Sequence, residues 1–180
     1  MKFNDLVEVK YDGCILPGYY LDKENVELWS TRKCHLNRFT NNSKENVCYG
    51  GDLRKVKGTK HGKKYIIFGM RLLHSDLLLQ EKYRNLYDNT LRVQMHRLMM
   101  ETFSPFETNL PKDLVNEWPK LSDVVKDYLR NGMTIDHIDP DHTKPTYNHI
   151  SNLQWMTISD NSRKGDRCIK LNPLEELLWN

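Results

Sequence analysis

No CxxC pair occurs in this sequence; its cysteines, Cys14, Cys34, Cys48 and Cys168, are scattered. Their spacing makes neither a zinc knuckle nor a disulfide framework, so reduced thiols are the default. No apolar run approaches membrane-spanning length. The opening stretch, MKFNDLVEVKYDG, has no uninterrupted apolar core, so no signal peptide is expected. Internal repeats and low-complexity segments are also missing. These absences leave a cytoplasmic globular protein of 180 residues, enough for one domain or two small ones.

Positive charge is present in modest excess, a net of +3, but it is concentrated. Residues 32–64 hold 10 Lys/Arg against 2 Asp/Glu, whereas residues 71–180 hold 14 against 16. A local excess of that size marks a candidate phosphate-binding surface. Arg32, Lys33, Arg38, Arg54, Lys55, Lys57, Lys60, Lys63 and Lys64 are the residues expected near phosphates, giving affinity more than sequence choice. A basic but merely solvated loop is the alternative.

The stretch with most chemistry runs from Met133 to Lys164. Met133, Ile135 and Ile138 alternate with polar residues, which reads as a strand carrying Asp136 and His137 near its end. Pro140, Pro145 and Asn148 make residues 139–151 a loop. Leu153 to Thr157 is a second strand signal with Trp155 as core anchor, and Thr157 with Asp160 opens a helix as a hydroxyl cap and carboxylate. Asn161 falls in the first turn of that helix, whose N-terminus is expected to face phosphate.

These residue types suit phosphodiester hydrolysis. A neutral His takes a water proton near pH 7. A hard divalent ion on oxygen ligands serves the non-bridging and leaving oxygens. Asp136 and the Asn161 amide oxygen are suitable ligands. Taken singly, the Asp-His pair also fits a capping pair, Asn152 an Asx turn and Asn161 an ordinary helix-start residue. His142 and His149 read best as solvated loop histidines.

The stretch resembles the HNH endonuclease family, in the branch whose signature positions are His, Asn and Asn. The matching text is Asp136-His137, Asn152 to Trp155, and Thr157 to Arg163. The resemblance implies His137 as general base, Asp136 and Asn161 as ligands of one Mg²⁺ (or Mn²⁺) ion, and Asn152 as the central Asn whose amide braces the loop and orients His137. It implies an α+β fold: a C-terminal ββα-metal core with an N-terminal β-rich DNA-binding extension. Two departures are a long gap between His137 and Asn152, and Pro140 where Gly is common. Asn161 in place of a third-position His disfavours zinc.

Two further segments resemble phage homing enzymes of that family. Leu16 to Leu21, a turn at Asp22 to Asn25 and Val26 to Ser30 read as a hairpin and echo a small DNA-binding module. HRLMMETF, His96 to Phe103, resembles the helix found upstream of the Asp-His pair, with His96 and Arg97 either facing the phosphate or bracing the core. Tyr65 to Phe68 and Leu91 to Met95 read as strands, Leu72 to Tyr87 and Ser122 to Arg130 as helices, the latter a core helix. Arg163, Lys164 and Arg167 are placed for DNA backbone contacts. The expected divisions are residues 1–70, 71–132, 133–168 and a tail at 169–180.

The expectation is therefore a monomeric, metal-dependent endonuclease of double-stranded DNA, phage- or intron-associated, acting in the cytoplasm of a bacterial host, with no membrane partner and no small-molecule cofactor. The alternatives are a non-catalytic DNA-binding protein on the same scaffold, and a nuclease of restriction, junction resolution or packaging.

Overall fold

Among the described residues, short strands dominate the first half of the chain, and helices with loops dominate the second. The computed structural model describes residues 5–34, 47–48, 51–62, 65–71, 90–110 and 112–168. Arg38, Lys63, Lys64, the helix expected at 72–87 and the tail from 169 lie outside them, as does the side chain of Lys33. The protein is α+β, with antiparallel sheets and separate helices. It divides into two compact units, residues 1–102 and 103–180. A strand at 65–71 pairs with one at 90–94, on either side of the division expected at 70.

In the first unit, β1 (Leu6–Tyr11) and β2 (Cys14–Asp22) form a hairpin whose last pair is Tyr11 with Cys14. Asp12 and Gly13 both have positive φ, 52° and 75°, the geometry of a two-residue type I′ turn. That Asp-Gly signal was readable in the sequence and was missed. The second hairpin is as expected: β2 pairs with β3 (Glu27–Ser30) around a turn at 23–26. Asp22 organises this turn, accepting from the backbone N–H of Glu24 at 3.0 Å and Asn25 at 2.9 Å, and from Asn25 Nδ2 at 2.7 Å. Burial opposes its ionisation, yet these bonds hold its carboxyl below the ordinary value of 3.8. Val26, expected in the strand, sits instead in the turn at φ 54°, a strained setting for a β-branched residue.

The short β4 (Lys33–Cys34) and β5 (Val47–Cys48) pair with each other. β6 (Arg54–Lys55) adds to β3 and completes a sheet of order β1-β2-β3-β6. β7 (Thr59–His61), β8 (Tyr65–Arg71) and β9 (Thr90–Gln94) form a separate three-stranded sheet. Its inward pairs are Phe68 with Val93 and Met70 with Leu91, all buried. α1 (Met95–Phe103) follows directly and buries Leu98, Met99 and Met100. Its Thr102 hydroxyl accepts from the Lys10 N–H at 3.1 Å, beside the irregularity in β1 where the ladder slips.

In the second unit, Phe106 lies edge-on to Trp118 at 5.6 Å and to Trp155 at 5.8 Å. Trp155 is the expected anchor: it is buried, and its indole N–H donates to the Ser104 carbonyl at 2.8 Å. After the short α2 (Lys112–Val115) comes α3 (Asp123–Asn131), capped by Ser122. The core role expected of α3 is overturned. No residue of it is buried, and Val124 and Tyr128 are 79% and 78% exposed. Only Lys126 and Leu129 are half-buried. Lys126 is 18% exposed, and Arg130 bonds Glu107 and lies over the Trp118 ring. Periodicity located an apolar stripe but not the face that packs.

Candidate active site

β10 (Met133–His137) and β11 (Leu153–Thr157) are antiparallel partners, joined by a loop and followed by α4 (Ile158–Lys164). The order strand, loop, strand, helix is the one expected. A two-stranded ribbon is marginal alone. Here the start of β10 is tied to α4 by the Ile158 N–H donating to Gly132 O at 3.1 Å, and Trp155, paired with Ile135, carries the core side. α4 is capped by Thr157, whose hydroxyl accepts from the Asp160 N–H at 3.0 Å, and it ends at Gly165, φ 56°.

The loop is held by one side chain. Asn152 Oδ1 accepts from the Asp139 N–H at 2.8 Å, while its Nδ2 donates to Asp139 O at 3.1 Å and Tyr147 O at 3.0 Å. Both ends of the loop are thereby fixed to the start of β11, and the Ile138 N–H to Asn152 O bond at 2.8 Å continues the ladder. The long loop is folded on itself. Asp139 accepts from the Asp141 N–H and the Lys144 ammonium, and Asp141 from the Thr143 N–H and hydroxyl. Those donors hold both carboxyls below the ordinary range, the Lys144 ammonium first for Asp139 and the Thr143 hydroxyl first for Asp141.

His137 sits at the end of β10, 8% exposed. Its ring stacks on Tyr147 with centroids 3.8 Å apart and planes 1° from parallel, and its Nε2 lies 3.1 Å from Asn148 Oδ1. Tyr147 and Asn148 are the residues that reading the sequence missed; only the turn character of Asn148 was visible. His142 meets the Tyr147 edge at 6.4 Å, and His149 Nδ1 accepts from the Ser151 N–H.

Asp136 is buried beside its cross-strand partner Gln154, whose Nε2 donates to Asp136 Oδ2 at 2.9 Å. The same oxygen receives the Lys164 ammonium at 2.7 Å, and Lys164 also donates to the His137 carbonyl. Lys164 was expected at the DNA backbone. At 3% exposure it is instead an internal partner of the Asp-His pair. Asn161 lies one turn before Lys164, so the two share a helix face.

The N-terminal end of α4, expected to face phosphate, is met by its own Asp160. That carboxylate accepts from Thr157 Oγ1 at 2.5 Å and from Arg163; the Thr157 bond is the chief cause of its lowered pKa. Arg163 is exposed, and Arg167 is exposed while donating to the Lys164 carbonyl at 3.0 Å, so both remain at the surface.

The other expected contacts lie in the first unit. Arg32 is corrected like Lys164: it is 3% exposed, with Nε donating to Pro17 O at 2.7 Å and a second nitrogen to Arg71 O. Arg54, Lys55, Lys57 and Lys60 are exposed. His96 is buried, its ring 5.8 Å from that of Tyr65, and Arg97 is half-buried on the same helix.

Among the described residues no group of three or more His, Cys, Asp or Glu side chains converges. Also among the described residues, no helix is long and apolar enough to cross a membrane. Comparison of the chain with family models, curated proteins and solved structures gives no match.

Proposed function

We propose that the second unit is an HNH-type ββα-metal site and that the protein is a metal-dependent DNA endonuclease of the homing kind. The observation that carries this is the Asn152 clamp. One amide cross-links a long loop whose Tyr147 and Asn148 hold the His137 ring, next in sequence to a carboxylate.

His137, held by Asn148 Oδ1 and by the Tyr147 stack, removes the proton of the attacking water, and the stack keeps the ring from turning as its charge changes. Asp136 and Asn161 are the residues that would hold Mg²⁺ or Mn²⁺, which when bound supplies positive charge to the non-bridging and leaving oxygens. Lys164 positions the Asp136 carboxylate and the His137 carbonyl together. Arg163 and Arg167 supply surface charge for the DNA backbone.

The test is cleavage of supercoiled plasmid with Mg²⁺, stopped by EDTA. His137→Ala is expected to lower the rate by about 10²–10⁴-fold, the usual worth of a general base. Cutting by His137→Ala at the wild-type rate would remove the assigned base. Asn161→Asp should retain part of the activity and Asn161→Leu none. A non-catalytic DNA-binding protein is a second reading with one observation in its favour: Lys164 already neutralises Asp136 without an ion. Tight duplex binding with no cutting across several divalent ions would select it.

A further inference from the structure

A pocket of about 330 Å³ opens in the first unit where β2, β3, β6 and β8 converge. Its charged lining is Arg32, Arg54, Lys55, Lys57 and Arg71, with no carboxylate among the described residues that line it. Like charges gathered in one concavity repel one another and focus a positive potential into it.

Arg32 lies over the Tyr19 ring at 4.5 Å and bonds the carbonyls of Pro17 and Arg71. The Arg71 N–H donates to Tyr19 Oη at 2.9 Å, and Arg54 donates from one nitrogen to the Arg32 carbonyl at 2.7 Å. Lys55 is offset by Glu27. Arg54, with five N–H donors on a planar fork, and Lys57 stand exposed at the mouth.

We infer that this pocket binds a phosphate group. Its size lies at the small end of ligand pockets, roughly 300–1,000 Å³, enough for a phosphate with part of its sugar. Planar guanidinium forks beside lysine match phosphate oxygens. Two sources share that chemistry, a phosphodiester of the DNA backbone and a free phosphate or nucleotide. The inference is independent of cutting in the second unit.

The full chain, as wild type, Lys57→Glu and Arg54→Gln, is titrated calorimetrically with inorganic phosphate and pyrophosphate. Binding of a labelled DNA duplex is then measured by anisotropy in EDTA over a salt series. Circular dichroism checks that the variants fold. If the phosphate comes from backbone, Lys57→Glu weakens duplex binding by about tenfold, the worth of a charged hydrogen bond, and Arg54→Gln by less. The log–log salt slope falls by about 1. If it comes from a free ligand, pyrophosphate binding is lost in Lys57→Glu while duplex binding is unchanged. Affinities that neither variant alters, or no binding of any probe by the wild type, overturn the pocket. Intact anion binding without cleavage by the wild type sinks the nuclease reading alone. Cleavage with both variants matching the wild type in every titration sinks this inference alone.

Discussion

Arg32 and Lys164 are two cations buried to the same degree, 3% exposed, one in each unit, and they are neutralised differently. Arg32 donates to the backbone carbonyls of Pro17 and Arg71 and lies over the Tyr19 ring. Lys164 is met by the Asp136 carboxylate at 2.7 Å, which cancels it. The first unit thus ties its buried cation to main-chain oxygens at a pocket wall, whereas the second sets a charge pair beside its histidine. A buried cation is informative through its partner rather than its burial.

The comparison breaks most readily at Lys164. Lys164→Met leaves the Asp136 carboxylate buried without its ion and is expected to cost about 3–5 kcal/mol in chemical denaturation. The double variant Lys164→Met with Asp136→Leu should regain most of that, since a well-packed apolar pair can replace a buried ion pair. Arg32→Met removes the bonds to the Pro17 and Arg71 carbonyls and should cost less, roughly 2 kcal/mol. Equal costs for the two single variants would end the distinction. Asn152→Ala tests a wholly neutral tie: about 1–2 kcal/mol, read by denaturation, with faster proteolysis inside residues 139–151.

The smallest effect is expected at Asp22→Asn, about 0.5–1 kcal/mol at neutral pH, because an amide oxygen still accepts the two turn N–H bonds. The folded pKa of Asp22 lies below the ordinary 3.8, so its contribution is present above that value and lost as pH falls through the folded one. The variant should therefore lose less stability than wild type on acidification below about pH 4. Parallel acid-unfolding curves would remove Asp22 from this account.

Much of the local architecture was legible. The strands at 133–137 and 153–157, the Thr157 cap and the hairpin around Asp22 follow from alternation, a hydroxyl cap and turn residues, all signals within a few positions of one another. The Asp12-Gly13 turn was equally legible and was overlooked. The side of α3 that packs was not legible, since Val124 and Tyr128 mark a stripe that this fold leaves outward. Tyr147 and Asn148 were invisible as holders of His137 because a loop carries no periodicity to say where its side chains point.

The amino-acid order alone thus placed the strands at 133–137 and 153–157, with an Asp-His pair ending the first, and the helix that Thr157 opens. The fold settled which cations face outward. Lys164 finds Asp136 across 28 residues and Arg32 finds the Arg71 carbonyl across 39. Propensity acts over a few neighbours along the chain, whereas the partner of a charge is whatever folding carries to within about 3 Å of it.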